Sequence, residues 1–208
     1  MRRLVLKMSI SIDGFVGTAA GNIDWIFKST DDAATAWTVD MIKQAGLHIM
    51  GSRTFKDMAA WWPTSTEPFA APMNEIPKAV FSRSGKLGSS TQALQDAIRA
   101  NGNKHDAKSA DTQTWADAEV IGGDLAAGIE RLKKQEGGFI LAHGGASFAQ
   151  SLVATGLIDE YQLLVHPVAL GKGLPLFNAL KDPLALELVQ AKTFRSGAAA
   201  HVYRPAQS

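Results

Sequence analysis

The sequence predicts an α/β protein with a mixed, mainly parallel central sheet, flanking helices and antiparallel strands at its C-terminal end. Three observations carry that expectation. Short apolar β-type runs alternate with segments of helical period along most of the chain. Buried-type strands break through glycine directly into helices at Gly51-Ser52-Arg53-Thr54 and at His143-Gly144-Gly145-Ala146-Ser147. Three β-type stretches, around Tyr161 to Leu170, Leu184 to Phe194 and Ala198 to Tyr203, then follow without helices between them, which suits antiparallel addition to a sheet edge.

Each element follows from local pattern. Alternation from Leu4 through Met8, Ile10 and Ile12 makes a first strand, ended by the turn pair Asp13-Gly14. A loop with Gly17, Gly21 and Asp24-Trp25 leads to a helix capped by Asp31 or Asp32, with Ala33, Ala36, Trp37, Met41 and Ile42 as its apolar stripe and Gly46 as its end. Leu47 to Met50 is a buried strand, and the next helix carries Phe55, Met58 and Ala59. Pro63, Pro68, Pro72 and Pro77 argue against regular structure in the long connection to the strand Lys78 to Phe81. Polar residues from 101 to 114 read as an insert. Ala118 to Ile121 and Phe139 to Ala142 are further strands, with a helix from about Asp124 through Leu132 between them. The whole chain, 1–208, reads as a single domain.

Composition narrows the function. Lys and Arg total 21 against 20 Asp and Glu, a balance unlike that of a nucleic-acid or membrane-surface protein. No cysteine is present, which excludes disulfides, thiolate catalysis and Cys-based zinc sites. No apolar run approaches the roughly eighteen residues that span a bilayer, so a cytoplasmic protein is expected. The five histidines form no metal-binding pair at helical spacing, and no metal is expected. Neither a Gly-x-Gly-x-x-Gly fingerprint after the first strand nor a Gly-x-Ser-x-Gly elbow occurs.

What remains is a set of strand ends suited to phosphate. The turn Gly51 to Thr54 offers free N–H groups at a helix start, flanking hydroxyls and the Arg53 charge. Ser82-Arg83 follows the next strand in the same way. Paired Gly144 and Gly145 let a ligand approach the main chain, and His143 stands beside them at a strand end. In doubly wound sheets such ends can converge on one ligand.

The order of these motifs resembles the dihydrofolate reductase-like family, in the branch that includes the C-terminal reductase domain of bacterial riboflavin biosynthesis. The matching segments are Ser9 to Gly14, Gly51 to Phe55, Lys78 to Arg83, Gly144-Gly145-Ala146, Gly156 to Tyr161 and Pro167 to Gly173. The resemblance implies NADPH as hydride donor. It implies that Ser52, Arg53 and Thr54, after Gly51, bind pyrophosphate and ribose, and that Ser82 and Arg83 contact the 2′-phosphate. Gly144, Gly145, Ala146 and Ser147 would follow the nicotinamide half, with a cis Gly144–Gly145 peptide, and Ser9 would border the nicotinamide. Two departures stand out: Arg53 is one residue later than the family's arginine, and His143 replaces the glutamate of riboflavin-pathway reductases.

The function expected is NADPH-dependent hydride transfer to a small heterocycle, pterin- or pyrimidine-like, or to a carbonyl substrate. His143 or Asp13 would supply the proton, and Asp24, Trp25 and Asp32 would border the substrate. The alternative is a dinucleotide-binding sensor or assembly module without turnover. A homodimer is expected, paired through the apolar positions Leu163, Val165, Val168 and Leu170.

Overall fold

A computed structural model describes residues 1–87 and 113–206. The fold is a mixed sheet with mostly parallel strands, flanked by helices and finished by antiparallel strands. Contacts group the chain into two compact units, each discontinuous in sequence: Met1–Arg2 with Val39–Leu141, and Arg3–Thr38 with Ala142–Ser208.

The first unit carries β2 (Ala45–Gly51), β3 (Lys78–Phe81), β4 (Glu119–Ile121) and β5 (Phe139–Ala142), in the order β4-β3-β2-β5. β3 runs parallel to both β2 and β4, with Gly51 opposite Phe81 and Phe81 opposite Ile121. Its helices are α2 (Ser52–Trp61), α3 (Ala70–Glu75), α4 (Gln113–Ala116) and α5 (Leu125–Lys133). The core includes Phe55 and Trp115, with ring centroids 5.7 Å apart. Trp115 buries its indole while donating its N–H to Asn74 Oδ1 at 2.7 Å, so the polar handle of the ring is satisfied. The Lys78 ammonium lies over the same ring and donates to the Ile76 carbonyl at 2.5 Å, which makes this buried lysine a brace at the start of β3.

The second unit carries β1 (Leu4–Ser11), β6 (Glu160–His166), β7 (Leu186–Thr193) and β8 (Ala199–Pro205), in the order β1-β6-β8-β7. β1 and β6 are parallel, whereas β8 is antiparallel to both β6 and β7. A 3-10 turn at Asp24–Ser29 and α6 (Ala146–Ala154) belong here, and α1 (Asp32–Lys43) begins here. Ala34, Leu164, Phe194, Ala198 and Ala200 form a core cluster against which Trp37 packs. Glu160, almost fully buried, accepts from Arg3 and Arg204 at 3.0 Å each, so its charge is compensated by two arginines.

Several expectations change in detail. Ile12 lies beyond β1 and is 64% exposed. On α1 the buried positions include Ala34, Thr38, Met41 and Ile42, while Ala33 and Ala36 face solvent. Asp31 is the capping residue, accepting from the Ala34 N–H at 2.8 Å. Gly46 lies inside β2 rather than after a helix, because a Cβ there would come within 2.7 Å of the Gly138 nitrogen. The proline-rich connection holds α3, with Pro72 as its third residue, where a missing N–H leaves no intrahelical bond unmade. Of the polar stretch 101–114, residues 101–112 lie outside the described residues, and Gln113 and Thr114 open α4. Leu163 is committed to the core, so the apolar side chains exposed on the late strands are Leu188 and Val189 of β7.

Candidate functional site

In the first unit the parallel register brings successive strand ends together. Gly51 and Phe81 are paired, so Ser52-Arg53-Thr54 and Ser82-Arg83 leave the sheet from adjacent positions. Gly51 is extended at the start of α2, and no side chain among the described residues caps that helix. No acidic residue occupies its first turn either, so no local carboxylate offsets the partial positive charge at the start of this ten-residue helix. Arg53 and Arg83 are exposed, and neither forms an ion pair among the described residues. The Ser82 hydroxyl donates to the Lys86 carbonyl at 2.6 Å, which leaves it as an acceptor for an incoming group.

A third strand end was missing from the sequence reading. Ile121 pairs with Phe81, and Gly122-Gly123-Asp124 therefore follows beside Ser82-Arg83. A Cβ on Gly122 would sit 2.6 Å from Gly85 Cα, so these two backbones approach closely because residue 122 lacks a side chain. Asp124 caps α5 by accepting from the Ala127 N–H at 2.8 Å, which already spends that helix start on a carboxylate. The signal was present: strand, glycine and helix recur there as at Gly51 and at Gly144-Gly145.

The second unit holds the remaining candidates. The Gly144–Gly145 peptide is cis, as the resemblance implied. A Cβ on Gly144 would lie 3.1 Å from Met8 Cε, so the β1 side chain crowds the place where any other residue would project. Gly145 is extended before α6, whose start carries no side-chain cap, and Ala146 and Ser147 form its first turn. His143 is buried directly after β5, and Ser9 is half-buried on β1.

Asp13 plays a different part from the proton donor expected of it. Its carboxylate accepts from Ser11 Oγ at 2.5 Å, from the Gly171 N–H at 2.7 Å and from the Leu170 N–H at 3.1 Å. These bonds, led by the Ser11 hydroxyl, hold its pKa below the ordinary carboxylate value. A carboxyl kept ionised by three donors is a loop clamp and a poor acid. Asp24 is likewise occupied, accepting from Asn22 Nδ2 at 2.7 Å, and Asp32 is exposed in the first turn of α1. Trp25 is buried edge-on against His166, with ring centroids 5.4 Å apart. Among the described residues, no group of three or more His, Asp or Glu side chains is placed to hold a metal ion. Nor is any helix long and apolar enough to cross a membrane.

Comparisons with known proteins agree with this architecture. The chain is 30% identical over 202 residues to the uncharacterized protein YyaP of Bacillus subtilis, covering 97% of this chain and 94% of that one. It is similar to the crystal structure of a putative riboflavin biosynthesis protein from Shewanella sp. PV-4, with a TM-score of 0.68, 18% identity and 99% of each chain covered. It is similar also to dihydrofolate reductase from Enterococcus faecalis complexed with NADP(H), with a TM-score of 0.56, 11% identity, and coverage of 99% of this chain and 97% of that one. The model of the RibD C-terminal domain matches residues 2–200, and the chain therefore belongs to the RibD C-terminal domain family.

Proposed function

We propose that the protein is an NADPH-dependent reductase that passes a hydride to a small heterocyclic acceptor, pterin- or pyrimidine-like, or to a carbonyl substrate. The observation that carries this reading is the uncapped start of α2 beside Ser82-Arg83, set there by the Gly51–Phe81 register. The N–H groups of the helix start, the Ser52 and Thr54 hydroxyls and the Arg53 charge suit a pyrophosphate. Arg83 suits the additional phosphate that distinguishes NADPH from NADH, and Ser82 would join it by turning its hydroxyl proton from the Lys86 carbonyl to a phosphate oxygen. In the second unit, Ser9 and Gly144 to Ser147 take the role that family membership suggests, following the nicotinamide half along an accessible main chain.

When bound, the dinucleotide supplies the hydride; the protein supplies position and exclusion of water. His143 is the residue proposed to hold or pass the proton, since an imidazole can both bind and release one. A cytoplasmic homodimer completes the proposal, with the exposed Leu188 and Val189 of β7 as its apolar contacts.

Fluorescence titration with NADPH and NADH, followed by single-turnover oxidation across pterins, pyrimidinones and quinones, tests the reading. Arg83→Ala should weaken NADPH about tenfold or more while leaving NADH nearly unchanged, because only the former carries the phosphate it would pair. Full turnover by His143→Ala would remove that residue from proton transfer. Failure to bind either dinucleotide would end the proposal.

A further inference from the structure

The second unit contains a polar cluster that the cofactor assignments leave unused. Lys7 stands opposite Gln162, and Ser11 opposite His166, on the parallel strands β1 and β6. Alternation along each strand therefore sets Lys7, Ser9 and Ser11 on the same face as Gln162, Leu164 and His166. The 3-10 turn Asp24–Ser29 adds two more groups. Ser29 Oγ lies 2.8 Å from His166 Nδ1, and the Trp25 indole meets the His166 ring at 86°.

This cluster is short of acceptors. Trp25 is 8% exposed and His166 is fully buried, yet Trp25 Nε1 and His166 Nε2 have no hydrogen-bond partner. Lys7 retains some exposed surface, but its ammonium pairs with no carboxylate among the described residues. Glu160, the acid on the same face, is committed to Arg3, Arg204 and Gln162. Each buried, unpaired donor destabilises the fold, and a desolvated cation without an anion does so more strongly. An anionic oxygen group is the kind of partner that each of these groups lacks.

We propose that Lys7, Trp25 and His166 form a subsite for a carboxylate carried by the hydride acceptor. This assignment deepens the reductase reading and rests on it for the role of the ligand. The Ser29 hydroxyl is assigned as donor to Nδ1, which puts the proton of the neutral His166 ring on Nε2 and presents a second N–H. Burial and the nearby Lys7 charge push the His166 pKa down to about 4, which keeps the ring neutral in ordinary buffers. One ammonium and two neutral N–H groups match a singly charged, two-oxygen acceptor better than a phosphate dianion.

The test titrates benzoate, its neutral counterpart benzamide, and inorganic phosphate into 15N-labelled protein with and without NADPH. The Trp25 indole N–H is identified from the spectrum of Trp25→Phe. Benzoate should move that signal saturably at millimolar concentration, while benzamide and phosphate should not. Lys7→Met should weaken benzoate about tenfold or more, and Lys7→Gln serves the same purpose should the methionine variant fold poorly. Equal response to benzamide, tighter binding of phosphate, no response to benzoate, or an unchanged affinity in the folded Lys7 variant overturns the subsite. NADPH binding with no benzoate response sinks the subsite alone. Benzoate binding at Lys7 without any dinucleotide binding sinks the reductase reading and, with it, the ligand's role as acceptor.

Discussion

His166 makes the folded state sensitive to acid in a window that can be worked out in advance. Its ring is fully buried on β6, and its pKa is lowered from 6.5 to about 4, chiefly by desolvation and secondarily by Lys7. Between those values the unfolded chain binds the proton and the folded chain does not, so stability rises with pH through the window. The contribution is fully present above about 6.5 and is lost as the pH falls to about 4. At about 1.4 kcal/mol for each pH unit separating the two states, the loss approaches 3 kcal/mol, on the order of a third of a typical domain's stability. Asp13 and Asp31 do not interfere, since their pKa values are lowered from 3.8 and their titration lies below the window. The assay is urea unfolding of the protein and of His166→Gln at intervals from pH 7 to pH 4. The difference between the two should shrink steadily with acidification. A difference that stays constant across the window, or a directly observed His166 titration centred near 6.5, would refute the reasoning.

Three further outcomes follow from packing and charge. Gly46→Ala should destabilise by about 1–3 kcal/mol in urea unfolding, because the new methyl meets the Gly138 nitrogen at 2.7 Å and Arg2 Nη2 at 2.9 Å. Asp124→Ala should cost about 1 kcal/mol through loss of the bond from the Ala127 N–H, while Asp124→Ser should recover most of it. Glu160→Gln should cost about 1–3 kcal/mol, a loss held down because Arg3 and Arg204 are 52% exposed and regain water; a chemical-denaturation midpoint identical to the parent would contradict the pairing.

Local chemistry made much of this protein legible without coordinates. Alternation announced β1, the break from strand into helix through Gly51 and through Gly144-Gly145 announced two strand-to-helix turns, and the helix-free tail announced antiparallel β6, β8 and β7. These are properties of a few neighbouring residues, set by side-chain period and by where a Cβ can stand. The capping bond of Asp31 rather than Asp32 and the helix across Pro72 were less visible, because each depends on one turn of backbone geometry.

Other properties arose only when distant segments met. Nothing near Asp13 reveals that Leu170 and Gly171 donate to it and turn a candidate acid into a clamp. Nothing near Lys7 reveals His166, more than 150 positions away in the chain, or the indole of Trp25 between loop and strand. Strand register decides which residues share a face, and burial then sets what a charge or a proton costs there. Sequence pattern thus determined which elements form and where backbone is left open to a ligand. Tertiary structure decided which side chains remain free for chemistry, since desolvation and hydrogen bonding act through space and not along the chain.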